Sequence, residues 1–189
     1  MVVIIINGNS GVGKDTLCDI VAKEYGEDYV CNYSSIEPVK VIARECGWDG
    51  QKELKDREFL FKLKSLLKEY NDYPFKKVIK EFQYFVFGDE YIMFIHIREA
   101  EEIERTKNEI NSIFLKKGYK NSKCLTMLVK RDGIDKSGPA DDLINEYNYD
   151  LIYENNQPLD KIKDDFIPWF EKSMNKYNII DIKERRKYN

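Results

Sequence analysis

Continuous apolar runs alternate with helical patterns along the chain. The runs at residues 2–7, 91–97 and 124–129 predict buried strands, because a strand covered on both faces loses the alternation of apolar and polar positions. Shorter runs at 29–33 and 149–153 predict two more strands. The segments between them carry apolar residues at helical spacing. Strands separated by helices predict an α/β fold, with a parallel sheet of about five strands, helices on both faces and right-handed crossovers.

The helical patterns differ in length and in quality. The longest runs from Glu53 to Tyr70 and aligns Leu60, Leu63, Leu67 and Tyr70 on one stripe. The last begins near Pro158 and contains Pro168, which predicts a kink or a break because proline lacks the amide hydrogen and clashes with the preceding turn.

The chain is interpreted as one domain over residues 1–189. Residues 47–88 form a helical insert that we expect to shape an acceptor pocket. Residues 131–148 are polar, contain glycine and proline, and predict a loop that acts as a lid.

Composition excludes several classes of function. Lys plus Arg is 31 and Asp plus Glu is 34, so the net charge of −3 argues against binding to nucleic acid polymers. The 4 cysteines are dispersed without a Cys-x-x-Cys pair, which favours a reduced, cytoplasmic protein. The single histidine, His96, leaves little room for a histidine metal site. The apolar start is too short to span a membrane and lacks a leader pattern.

A phosphate-binding motif lies between the first strand and the first helix. It matches G-x-x-x-x-G-K, in the strand-to-helix context that the motif requires. Glycines let backbone amides converge on an anion, the helix N-terminus adds partial positive charge, and the lysine can bridge β- and γ-phosphates. An ordinary glycine-rich turn is the alternative, but it does not explain the position, spacing and context together. The predicted nucleotide-binding residues here are Gly8, Asn9, Ser10, Gly11, Val12, Gly13, Lys14, Asp15 and Thr16.

The motif departs from its usual form after the lysine. A Ser or Thr normally follows and binds Mg²⁺ through its hydroxyl, whereas here Asp15 follows and Thr16 comes next. Asp15 and Thr16 are therefore candidate Mg²⁺ ligands. Alternatively, Asp15 caps the helix, where acidic residues are favoured. The two interpretations are compatible, and both stay open.

The sequence Gly-Lys-Asp-Thr at residues 13–16 resembles the loop of phage-type deoxynucleoside monophosphate kinases, and animal-type phosphomevalonate kinases are similar in having Gly-Lys-Asp. Residues 33–40, 96–99, 128–131 and 148–156 resemble later segments of the same kinases, in the same order. The resemblance covers most of the chain. It implies the P-loop fold of nucleoside monophosphate kinases, with ATP and Mg²⁺ as cofactors. That family usually has an aspartate where His96 stands.

The resemblance and the charge of the side chains suggest further site residues. Phosphoryl transfer needs positive charge around the migrating group, and Arg98 and Arg131 are the catalytic candidates beside Lys14. A surface salt bridge from Arg98 to Glu99 or Glu102, and a solvated Arg131, are the alternatives. The candidates for binding the acceptor are Ser34, Lys40, Arg57 and His96, and Asn155 is a candidate for contact with the adenine.

The function that we expect is ATP- and Mg²⁺-dependent phosphoryl transfer to a small phosphorylated acceptor, with a (deoxy)nucleoside monophosphate as first choice. Dephospho-coenzyme A and phosphomevalonate are alternative acceptors. A nucleotide-binding regulatory protein with little turnover is the alternative from another class. The chain lacks the Asn-Lys-x-Asp guanine motif, which disfavours a GTPase. We expect a monomer or a homodimer that has no membrane partner.

Overall fold

The computed structural model describes residues 1–51, 53–134 and 147–179. Its strands form one sheet in which every neighbouring pair is parallel, in the order β2-β3-β1-β4-β5. The strands are β1 (Val2–Asn7), β2 (Val30–Ser34), β3 (Ile92–His96), β4 (Lys123–Lys130) and β5 (Leu151–Glu154). The predicted parallel sheet of five strands is therefore confirmed.

Strand β1 lies at the centre of the sheet and is buried along its whole length. Alternate residues serve two separate cores. Ile4 and Ile6 pack into the first core, and Val3 and Ile5 pack into the second. Because side chains alternate across a strand, the two cores lie on opposite faces of the sheet. The predicted three-layer arrangement, with helices on both faces, is thus confirmed.

The helices divide between these two cores. Residues of α1 and α6 contribute to the first core, whereas residues of α4 and α5 contribute to the second. Among the described residues, none of the helices combines the length and the apolar character needed to cross a bilayer. The helices are α1 (Lys14–Tyr25), α2 (Glu37–Glu45), α3 (Leu54–Asn71), α4 (Tyr73–Phe87), α5 (Ala100–Lys116) and α6 (Ile162–Lys176).

Helix α6 does not break at Pro168, so the predicted break is wrong, while the alternative of a kink stays a prediction. The helix continues for two turns beyond the proline. Phe166 and Phe170, on either side of it, are both fully buried in the first core. Burying each phenylalanine contributes about 1.5–3 kcal/mol, which together offsets the cost of about 3 kcal/mol for a proline inside a helix. Packing therefore holds both halves of the helix on the sheet.

Helix α3 lies one layer further from the sheet, because it packs against α2 and α4. Its Leu60, Leu63 and Leu67 are half-buried, as the predicted stripe requires. Tyr70, however, is 81% exposed, so its place on that stripe is wrong. The physical reason is that a helix packed on other helices needs only a narrow apolar stripe. Asp72, directly after the end of α3, pairs through its carboxylate with Arg105, and this ion pair holds the end of the helix.

The two phenylalanines Phe82 and Phe61 test this assignment of layers. Phe82 is fully buried in the second core, with its ring 5.2 Å from that of Phe114, whereas Phe61 on α3 is 69% exposed. We expect Phe82→Ala to lower the free energy of unfolding by about 3–5 kcal/mol, because it leaves a core cavity. The matched change Phe61→Ala should alter the free energy of unfolding by no more than about 0.5 kcal/mol. Urea denaturation measures both, and equal losses would contradict the layering.

Candidate active site

The phosphate-loop motif lies at the carboxyl end of β1. Strands β2 and β3 lie on one side of β1, and β4 and β5 lie on the other. The connections that leave β1 therefore run to one side of it for the earlier strands and to the other side for the later ones. In open α/β sheets, ligands bind in the crevice where the connections change side in this way. Residues 8–13 connect β1 to the first turn of α1 at this edge.

Two glycines of the loop lie where no side chain fits. Gly8 has φ +144°, and a Cβ on it would stand 2.4 Å from the carbonyl oxygen of Val129 in β4. Gly13 has φ +93°, and a Cβ there would stand 2.5 Å from Nδ2 of Asn155. Real Cβ atoms do not approach other atoms so closely. The loop is therefore pressed against β4 where it begins, and against the segment after β5 where it ends.

Asn155 lies behind the loop and is fully buried. Its Nδ2 donates to the carbonyl oxygen of Val12 at 2.8 Å, and its backbone N–H donates to the carbonyl of Lys130 at 2.7 Å. Its buried Oδ1 has no hydrogen-bond partner among the described residues. The side chain therefore supports the loop backbone. Contact between Asn155 and an adenine stays a prediction.

The ammonium group of Lys14 lies across the loop. Its Nζ donates to the carbonyl oxygens of Gly8 at 2.6 Å and Asn9 at 2.8 Å. Helix α1 begins at this lysine, and the residue before it, Gly13, supplies no side-chain cap. A lysine ammonium and an uncapped helix N-terminus at the same loop form an arrangement suited to an anion.

Asp15 lies in the first turn of α1 with its side chain 88% exposed. The N-terminus of the helix has no side-chain cap hydrogen bond among the described residues, so a carboxylate cap is not observed. The favourable interaction of the charge with the helix dipole remains. Thr16 follows and is half-buried.

A fully protein-bound metal centre is absent from the described residues, because no three His, Cys, Asp or Glu side chains cluster there. Mg²⁺ in nucleotide sites is usually held by one or two protein oxygen ligands together with phosphates and waters. The exposed carboxylate of Asp15, beside the loop, fits that kind of site.

His96 closes β3 next to the loop, and its side chain is only 15% exposed. Its Nε2 lies 2.8 Å from Oδ1 of Asn32 and 3.8 Å from Oδ1 of Asp15. Burial lowers the pKa of this imidazole; the charge of Asp15 opposes that effect, while the charges of Lys14 and Lys40 add to it. The ring is therefore neutral near pH 7. It then hydrogen-bonds Asn32 by donating from Nε2.

The guanidinium of Arg98 makes no ion pair with the described residues. The carboxylates that sequence reasoning offered as its partners are engaged elsewhere: Lys64 pairs with Glu99, and Lys68 pairs with Glu102 at 2.6 Å. Arg98 is exposed just beyond the end of β3. This position lies at the same edge of the sheet as the loop, since β1 and β3 are parallel neighbours.

The candidates for acceptor binding are spread over β2, α2 and α3. Ser34 ends β2 and pairs with His96 in the sheet register. Lys40 lies in α2 and pairs with Glu37 at 3.3 Å. Arg57 lies in the first turn of α3, on an exposed surface. Ser34 and His96 are thus brought together at the loop edge, while the acceptor-binding roles of all four residues stay predictions.

The chain beyond β4 passes close to the loop. Arg131 is exposed directly after the strand. Asp132 is tied to Asn156, since each accepts a hydrogen bond from the other, at 2.9 and 2.7 Å. Ile134 lies 3.8 Å from the point where a Cβ on Gly11 would stand. Most of the predicted lid, residues 135–146, lies outside the described residues, so its closing stays a prediction.

Sequence reasoning missed one residue of this edge, Asn7. It is buried at the end of β1, and its Oδ1 accepts from the N–H of Gly8 at 2.8 Å. Its Nδ2 donates to the carbonyl of Arg98 at 3.1 Å and to the hydroxyl of Tyr149 at 2.8 Å. The available signal was a polar residue that ends an apolar strand directly before the motif.

Comparison with known proteins gives a distant structural likeness. No protein-family model matches the chain, and no curated protein does. Among solved structures it is similar to a cysteine-to-alanine mutant of the Mycobacterium tuberculosis APS kinase CysC, with 13% identity and a TM-score of 0.39. The match covers 89% of this chain and 96% of that one. A likeness at this level says nothing about what this chain binds.

Gly8 provides a test of the close packing of the loop. We expect Gly8→Ala to abolish nucleotide binding, because its Cβ would meet a backbone oxygen of β4 that cannot move away. Gly118→Ala is the matched control: its φ is +77°, but nothing lies within 4 Å of the added atom. It should cost about 1–2 kcal/mol of stability through backbone strain alone and leave binding unchanged. Calorimetric titration with ADP compares them, and unimpaired binding by Gly8→Ala would contradict the packing.

His96 is the chain's only histidine, so its titration can be assigned without ambiguity. We expect its imidazole NMR signals to titrate below the pH typical of an exposed histidine, because burial disfavours the charged ring. The folded state then binds this proton less readily than the unfolded chain does. Stability should fall as the pH drops below about 6.5, and His96→Gln should remove that part of the loss. A midpoint at or above that of an exposed histidine would show that the ring is not desolvated.

Proposed function

We propose that the chain is an ATP- and Mg²⁺-dependent phosphotransferase that acts on a small phosphorylated acceptor, with a (deoxy)nucleoside monophosphate as first choice. The observation that carries the proposal is the loop at residues 8–14. Its lysine ammonium lies across glycines that admit no side chain, at the uncapped start of a helix. That combination favours a polyphosphate over a simple monovalent anion.

The donor side of the site follows from this loop. The ammonium of Lys14 would leave the carbonyls of Gly8 and Asn9 for the β- and γ-phosphates, and the amides of the loop would bind the phosphate oxygens. Asp15 and Thr16 would hold Mg²⁺, which neutralises phosphate charge when it is bound. The exposure of the Asp15 carboxylate supports this role, since a ligand must reach it.

The acceptor side rests on the cations of the same edge. Arg98 has no ion pair with the described residues, and Arg131 begins the segment that runs past Gly11. Both would neutralise charge on the migrating phosphoryl group. Lys40 and Arg57 would anchor the phosphate of the acceptor. A neutral His96 would orient the acceptor by hydrogen bonding rather than by charge.

Two alternatives remain within reach of experiment. The same donor site would serve dephospho-coenzyme A or phosphomevalonate as acceptor, and a regulatory protein would bind ATP without much turnover. A panel of these acceptors and the common nucleoside monophosphates, with Mg·ATP and coupled detection of ADP, separates them. We expect one acceptor to raise ADP release well above the rate with ATP alone, and mass spectrometry to find the acceptor one phosphate heavier. Binding of ATP that no acceptor stimulates would favour the regulatory alternative.

Lys14 is the most direct probe of the donor site. We expect Lys14→Ala to reduce phosphoryl transfer by about 10³-fold or more, the order found for a comparable lost cation. Lys23→Ala, in the exposed last turn of the same helix, is the charge-matched control and should keep full activity. Initial rates and thermal melting measure both variants. If Lys14→Ala retains more than about a tenth of the rate, the loop is not the donor site.

Asp15 separates metal binding from helix stabilisation. Asp15→Asn keeps a good residue for a helix N-terminus but removes the charge that a hard cation prefers. We expect activity to fall and the Mg²⁺ concentration for half-maximal rate to rise, and Asp15→Ser to recover part of the loss by supplying a hydroxyl. Mg²⁺ titrations of the three proteins decide this. Coincident curves for wild type and Asp15→Asn would leave Asp15 with a role in the helix alone.

A further inference from the structure

We propose that Asn7 is a positioning residue that holds the phosphate loop and Arg98 in one fixed arrangement. This inference rests on the proposed function, because it assigns Arg98 a part in phosphoryl transfer. Asn7 itself is buried beneath the loop and is not placed in contact with a substrate.

The first step concerns the place where the sheet ladder ends. Strands β1 and β3 pair as far as Ile6 and His96, and the last bond, from the N–H of Ile97 to the carbonyl of Ile6, is long at 3.4 Å. Beyond it, the side chain of Asn7 takes over from the backbone. Its Nδ2 donates to the carbonyl of Arg98 at 3.1 Å. The side chain of Asn7 in β1 therefore holds the backbone of Arg98, which follows the end of β3.

The second step concerns the loop. The Oδ1 of the same side chain accepts from the N–H of Gly8, the first residue of the motif, at 2.8 Å. Gly8 has no room for a side chain on its other side, since an added Cβ would stand 2.4 Å from the carbonyl oxygen of Val129 in β4. One amide group thus joins the start of the loop to the backbone of Arg98. Because Asn7 is buried, water cannot replace these bonds when they are lost.

The third step concerns Arg98 itself. Its exposed guanidinium has no ion pair with the described residues to fix it, so the position of its backbone determines what the side chain can reach. Small displacements of a positioning group are costly in catalysis, because the transition state requires defined geometry. The bond from Asn7 is the contact that ties this backbone to the phosphate loop.

The network extends to Tyr147 and Tyr149, which lie just before β5. Nδ2 of Asn7 also donates to the hydroxyl of Tyr149 at 2.8 Å. Tyr149 packs against the ring of Tyr147 at 4.9 Å, and the hydroxyl of Tyr147 donates to Oε2 of Glu104 at 2.6 Å. The amide of Asn7 thus makes three hydrogen bonds, with groups from three separate parts of the chain.

A matched asparagine separates positioning from general stability. Asn111 also bonds a strand backbone through its side chain, since its Oδ1 accepts from the N–H of Cys124 at 3.0 Å. Cys124 lies near the start of β4, so this bond is at the opposite edge of the sheet from the loop. Asn7→Ala and Asn111→Ala remove the same group, and we expect similar losses in melting temperature.

The test is a cycle of Asn7→Ala, Arg98→Ala and the double variant, measured for kcat and KM with the acceptor that the wild type uses. We expect Asn7→Ala to lower kcat about tenfold, as misplacement of a catalytic group does, with a smaller change in KM, while Asn111→Ala leaves kcat unchanged. The double variant should lose less than the product of the two single losses, because part of the effect of Asn7 acts through Arg98. The proposal would be overturned if the double variant lost the full product of the two single losses in kcat. Equal losses of kcat in Asn7→Ala and Asn111→Ala would overturn it as well.

Two further measurements keep the result decisive. If Asn7→Ala does not fold, Tyr149→Phe removes only one partner of the amide, and it should lower kcat severalfold with little change in stability; unchanged kcat would count against the network.

Calorimetric binding of ADP needs no turnover. Asn7→Ala should bind ADP about tenfold more weakly than Asn111→Ala does, in line with the loss of a buried hydrogen bond. If wild type transfers no phosphoryl group, the proposed function fails, and equal ADP affinities then overturn the positioning role as well.

Discussion

The site depends on how closely the phosphate loop is pressed against its neighbours. At the start of the loop, Gly8 leaves no room for a side chain beside the carbonyl of Val129. At its end, Gly13 leaves none beside Asn155, whose amide donates to the carbonyl of Val12. Glycine is required because only it combines positive φ with so close an approach. The loop is therefore held at both ends by β4 and by the segment that follows β5.

Such close packing requires a rigid base, and the sheet supplies it. Strand β1 is buried on both faces and pairs with β3 and β4 along its length, so the point where the loop begins cannot shift without disturbing two cores. The outer helix α3 contrasts with it, because it packs mainly on α2 and α4 and exposes several large apolar side chains. Rigidity is thus concentrated where the proposed donor phosphates bind, and the layer that we expect to meet the acceptor is less buried.

The fold was predictable from the sequence because its signals are local. The apolar runs gave the strands, and their alternation with helical patterns gave the parallel sheet. The break predicted at Pro168 does not occur, because the local effect of proline is outweighed by the burial of Phe166 and Phe170, which depends on the tertiary structure.

The motif located the loop, but its supports could not be foreseen. Asn7 bonds residues 91 and 142 positions away, and Asn155 bonds one 143 positions away. No spacing rule reaches so far along a chain. The alternative of a salt bridge from Arg98 to Glu99 or Glu102 could not be excluded from the sequence for the same reason, since Lys64 and Lys68 come from another helix to pair with those carboxylates.

The central claim is that residues 8–16 hold the phosphates of a nucleotide. Backbone amide NMR during a titration with Mg·ATP tests it most directly, with adenosine as a control that lacks phosphates. The account predicts that the amide signals of Gly8 to Thr16 shift strongly with ATP and little with adenosine, and that phosphate-dependent shifts elsewhere are smaller. Loop signals that stay unmoved at saturating ATP, or that respond equally to adenosine, would contradict it.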